Sequence, residues 1–76
     1  MRVSVILFGG AWRVFDGARW RGRFDYQVDA IEAAIRLIDS AEDSEAELWV
    51  QDRFGELRMQ PFLSVRPASP RQASAR

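Results

Sequence analysis

A chain of 76 residues with no cysteine and no histidine is the length of one small domain, with no disulfide to staple it and no thiolate or imidazole to hold a metal. All 11 of its basic residues are arginine and the formal net charge is zero, which argues against the strongly cationic footprint expected of a dedicated nucleic-acid binder. With lysine absent as well, Schiff-base, imidazole-base and thiolate chemistry drop out, so the expectation is a non-enzyme that uses no cofactor.

The first element is residues 3–8, "VSVILF", a β-branched run that Gly9-Gly10 stops. A Gly-Gly pair between two such runs marks a two-residue hairpin loop. It sets Phe8 opposite Ala11, Leu7 opposite Trp12 and Val5 opposite Val14. The second turn lies in "VFDGARW". A two-residue Asp16-Gly17 loop mixes core and solvent positions, because a slip of one residue turns every side chain over. A three-residue loop, residues 16–18, pairs Val14 with Trp20 and Phe15 with Arg19 and keeps one apolar face unbroken. In that register Arg19, Arg21 and Arg23 share a face, and Trp12 and Trp20 look toward the core.

A helix follows, with Asp25 expected as its N-cap and Asp29 and Glu32 near the positive end of its dipole. Val28, Ile31, Ile35 and Ile38, with Ala34 between them, form its apolar stripe. The acid-rich "DSAEDSEAE" ends it without a glycine. "AELWVQD" and "ELRMQPF" then bracket a second hairpin whose four-residue loop, residues 52–55, pairs Val50 with Leu57, Leu48 with Met59 and Trp49 with Arg58. Beyond Phe62 the sequence turns rich in proline, serine and alanine without periodicity, the composition of a disordered tail.

The expected architecture is therefore α+β, an antiparallel-rich β-β-β-α-β-β sheet with one helix packed on one face. Residues 1–62 make the domain and residues 63–76 the tail, which carries Arg66, Arg71 and Arg76 without an acid, while the domain holds 8 arginines against 11 acids. The opening "MRVSVILFGGAW" has the charge and apolar run of a signal peptide but no small-residue cleavage site. It reads as a strand pair, and the chain as cytoplasmic and soluble. Exclusive use of arginine fits codon bias in a GC-rich bacterial genome.

Carboxylates are the chemistry that remains. Asp39, Glu42, Asp43, Glu45 and Glu47 cluster, but their spacing matches no calcium loop, and a solvated helix end explains them. Ser4, Ser40, Ser44 and Tyr26 stand in no nucleophile constellation. The informative surface is the sheet face opposite the helix. It is expected to carry Ser4, Ile6, Phe8, Arg13, Phe15, Arg19, Arg21, Arg23, Trp49 and Arg58, joined by Glu47 and Glu56.

Three readings compete for that face. Aromatics and arginine are enriched where proteins meet, so a protein partner or a second copy of the chain ranks first. A plain solvated face, with Arg58 lying over Trp49 as a cation–π pair, ranks next. Single-stranded nucleic acid, stacked on Phe15 and Trp49 with phosphates at the arginines, ranks third. Neither a membrane nor a small-molecule substrate is expected.

Residues 11–62 resemble the small bacterial family known as domain of unknown function 2188. The resemblance rests on "WRVFDG", on the helix start "DAIEAAIRLI" and on "AELWVQDRFGEL", and it spans roughly two-thirds of the chain. It implies a small α+β domain without an established activity, and it assigns no functional residues.

Overall fold

The strands follow the order of the apolar runs. A computed structural model describes residues 1–60, and places β1 at Arg2–Phe8, β2 at Ala11–Asp16 and β3 at Arg19–Phe24. Helix α1 spans Gln27–Ala41, and β4 (Glu47–Gln51) and β5 (Leu57–Gln60) are the last elements among the described residues. The five strands form one sheet in the order β3-β2-β1-β4-β5. Three of its pairings are antiparallel, and β1 with β4 is parallel. A parallel neighbour needs a long crossover, and α1 supplies it by carrying the chain from the β3 edge back over the sheet. The α+β architecture read from the sequence is the one observed. The expected tail, residues 63–76, lies outside the described residues. Among those described, no helix is long and apolar enough to cross a membrane.

The core is a layer of small and branched side chains. Val3, Val5, Val14, Leu48 and Val50 point at α1, which answers with Ala30, Ala34 and Ile38, all buried. Alanines at positions i and i+4 let the helix backbone come close to the sheet. Trp12, Phe24, Ile31 and Ile35 pack around that centre, as expected for Trp12. The helical stripe is rotated from the expected one: Val28 is 60% exposed, and Ala30 takes its place. The N-cap residue is Tyr26, in extended conformation and without a side-chain cap bond, so Asp25 does not cap the helix. Instead the Gln27 side chain donates to the Gln51 carbonyl at 3.1 Å, tying the helix start to β4. Glu42, at φ 54°, closes the other end through its backbone N–H.

The first hairpin has the expected register, with Phe8 opposite Ala11 and Val5 opposite Val14. Gly9 and Gly10 both take positive φ, as a type I′ loop requires. The other two hairpins differ from expectation by one residue each.

Between β2 and β3 the loop has two residues, Gly17 and Ala18, so Asp16 faces Arg19 and Phe15 faces Trp20. Only Gly17 has positive φ, which matches the glycine that a type II′ turn places first. Continued regularly, this register would put Arg21 beside Val14 and Arg23 beside Trp12 on the covered face. A β-bulge prevents that: Arg21 is the extra residue, Gly22 falls opposite Val14, and Phe24 opposite Trp12. The tight turn is kept, and the arginines stay out of the core. Trp20 is consequently 57% exposed on the open face, not a core residue.

The β4–β5 loop has five residues where four were expected, which pairs Trp49 with Met59, Val50 with Arg58 and Gln51 with Leu57. Asp52 sets the length. Its Oδ1 accepts from the N–H groups of Phe54 (2.8 Å) and Glu56 (3.0 Å), and its Oδ2 from Arg58 Nε (2.7 Å). The shift brings Met59 and Leu57 to the open face and moves Arg58 to the helix side.

Candidate functional site: the open sheet face

Cross-strand partners share a face, so the registers assemble the open side row by row. One row crosses all five strands without a break: Trp20, Phe15, Ser4, Trp49, Met59. At roughly 4.8 Å per strand it is about 19 Å long. Beside it lies a second row in which Arg23, Arg13 and Ile6 are partnered in turn and Gln51 meets Leu57. Phe8, 68% exposed, stands at the end of β1. Four large apolar or aromatic side chains thus line up around one small one, Ser4, on the central strand.

The charged groups on this face are largely spent on their own neighbours. Glu47 Oε1 accepts from the Trp49 indole N–H at 3.0 Å and pairs with Arg2 at 3.4 Å. The Trp49 hydrogen bond, then the Arg2 charge, hold the Glu47 carboxyl below its ordinary pKa. The Arg2 guanidinium also sits 5.0 Å from the Trp49 ring centre. Arg2 therefore takes the cation–π role expected of Arg58, whose own partners are Asp52 and Glu56. Arg13 donates to the Phe8 carbonyl and lies over the Phe8 ring, and Arg23 approaches Asp25 at 3.8 Å. Arg19 and Arg21 make no ion pair among the described residues.

Of the expected site residues, the structure brings Phe8, Arg13, Phe15, Arg23 and Trp49 together on the open side. Arg19 does not join them, because its partner Asp16 is on the face of Val3 and Val14. Arg58 does not either, being opposite Val50. Arg21 occupies the bulge, and Glu56 belongs to the loop. Trp20, Leu57 and Met59 are the members that the expected registers hid. The signal for Trp20 was the glycine directly after Asp16, which favours the shorter turn.

Two other places hold polar groups. A cleft of about 390 Å³ lies between the helix start and the second hairpin, with Ile31, Val50 and Phe54 as its apolar lining and Gln27, Arg53 and Arg58 around it. The acidic segment after α1 is bound up locally. Asp43 accepts from the Met1 amino group (2.8 Å) and from the Glu45 N–H (2.9 Å), and these bonds, the Met1 one first, lower its pKa. Among the described residues no three carboxylates come together as a metal site. Comparison with known protein families, with curated proteins and with solved structures yields no match to this chain.

Proposed function

We propose that the chain is a small non-enzymatic interaction module that makes protein contact through the open sheet face, with a second copy of itself as the simplest partner. The row Trp20–Phe15–Ser4–Trp49–Met59 carries this reading. Contiguous exposed apolar surface of this kind marks contact sites, and the aliphatic Ile6, Leu57 and Met59 in the same face suit a protein partner better than stacked bases. Arg2 and Arg23 are already paired with Glu47 and Asp25, and Arg13 is held against the Phe8 carbonyl and ring at the end of β1, so the three can rim such a contact. A cytoplasmic, bacterial setting and kinship with the family of unknown function 2188 belong to the same proposal and add no activity to it.

The test is the solution mass of the full chain over a concentration series at low and at high salt. A dimer that persists in high salt is the expected result, because apolar contact is insensitive to counterions. One observation favours a second reading, single-stranded nucleic acid: Arg21, in the bulge next to Trp20, makes no ion pair among the described residues. That reading requires tryptophan emission to change on titration with an oligonucleotide, and the change to disappear steeply as salt rises. A monomer at every concentration that binds the oligonucleotide would replace the first reading with the second.

A further inference from the structure

The row of large side chains on the open face is symmetric in size about Ser4 on the central strand. From the contact proposed above, on which this inference rests, we infer that two copies dock face to face on a two-fold axis running along β1, with Ser4 and Ile6 at the axis.

Size gives the first argument. The row reads large, large, small, large, large from β3 to β5, and Ser4 on β1 is its midpoint. A two-fold along β1 exchanges the two halves of the row. It sets Ser4 against the partner's Ser4, Phe15 against the partner's Trp49, and Trp20 against the partner's Met59. Aromatic and thioether side chains of different shape then meet on both sides of the axis, whereas an axis along the row would set each ring against its own copy. The face is about 24 Å by 20 Å from strand spacing and rise. That footprint, about 480 Å² before the protruding rings are counted, is somewhat more than half of the about 800 Å² that one partner buries in a standard interface.

Charge gives the second. Sheets packed face to face keep their strands within about 30° of alignment, which leaves two choices of axis, along β1 or along the row. An axis along the row would stack β3 on the partner's β3. That edge holds Arg23 and the bulged Arg21 against Asp25 alone, so two cationic edges would lie together. It would also set Ile6 against the partner's Arg2. The axis along β1 puts β3 over the partner's second hairpin, where Asp52 and Glu56 balance Arg53 and Arg58. Arg2 is drawn sideways onto Trp49 and Glu47, clear of the axis.

The chain has no cysteine, so single-cysteine variants report the axis directly. Ser4→Cys and Ile6→Cys, treated with a short bis-maleimide at a concentration where the solution mass is that of a dimer, are expected to give a covalent dimer. Met59→Cys is not. Its two copies would lie four strand spacings apart, about 19 Å, so its yield should be lower by about tenfold or more. Using two axial positions guards against one substitution disturbing the sheet. A dimer that crosslinks through Met59→Cys as readily as through Ser4→Cys overturns the axis and leaves the open-face contact standing. A dimer that none of the three variants crosslinks overturns both, and so does a monomer at the highest concentration.

Discussion

The two faces of this sheet are made of alternating residues in the same strands, yet they meet opposite conditions. Val3, Val5, Val14, Leu48 and Val50 are sealed beneath α1, whereas Ser4, Ile6, Phe15 and Trp49, each one position away, remain partly open. Small domains usually put their large aromatics in the core, where a few rings supply much of the burial. Here Ala30 and Ala34 bring the helix so close that branched aliphatic residues fill the covered face. Trp20, Phe15 and Trp49 stand on the uncovered one. Four of the eight aromatic side chains among the described residues, Phe8, Phe15, Trp20 and Trp49, therefore stand on the face that α1 leaves uncovered.

Truncating one residue on each face tests that contrast most strongly. Leu48→Ala removes a side chain that is 1% exposed and should cost about 2–5 kcal/mol of unfolding free energy. Its neighbour Trp49, changed to serine, should cost the isolated monomer roughly 1 kcal/mol or less. In compensation, Trp49→Ser should raise the dimer dissociation constant by about tenfold or more, as a central aromatic of an interface does. Urea unfolding in dilute solution separates the first effect from the second, because association adds stability that depends on concentration. Equal stability losses from the two variants would mean that Trp49 is a core residue and the open face is not a docking surface.

A finer test sits at the bulge, where the two faces exchange residues. A Cβ on Gly22 would come 3.1 Å from the Phe24 ring, and Phe24 packs against the core from the β3 edge. Gly22→Val should push that ring away and cost about 1–3 kcal/mol through overpacking. Thermal unfolding together with near-ultraviolet circular dichroism would read both the loss and the displaced ring. An unchanged midpoint would show that Phe24 contributes little to the covered face.

That bulge also shows what could be read from the residues alone. The alternation in "VSVILF" and "AWRVF", with Gly-Gly between, determines the first hairpin, and the helix follows from its acidic start and apolar spacing. Which residues shared the open face was legible only in part. Two requirements act on "FDGARWRGRF": Gly17 favours a tight two-residue turn, Gly17-Ala18, and the core needs Phe24 beside Trp12. A regular ladder can meet only one of them, so a three-residue loop was the economical expectation. The chain meets both by spending Arg21 on a bulge, a choice made by tertiary packing. In the second hairpin the length was set by Asp52, whose carboxylate reaches across its own loop. Composition marks such a residue as a turn former, but does not say how many residues it will span.

Asp52 offers the gentlest way to sharpen the comparison, since it holds Met59 on the open face without touching it. Its hydrogen bond from Arg58, then those from the Glu56 and Phe54 N–H groups, place its pKa below the ordinary 3.8. A carboxyl with a depressed folded-state pKa contributes stability that is fully present above its unfolded value and is lost as pH falls through the folded one. The stabilisation from Asp52 should therefore hold at neutral pH and fade below pH 3.8. Asp52→Asn retains an oxygen to accept from the loop N–H groups but loses the charge that Arg58 pairs with. Because Arg58 is largely exposed, with 63% side-chain accessibility, solvent screens the pair and the loss should be small. Urea midpoints of the parent and Asp52→Asn should differ slightly at neutral pH and converge in acid. A gap that widened in acid would mean that the carboxylate is strained in the loop, and that something other than Asp52 places Met59 beside Trp49.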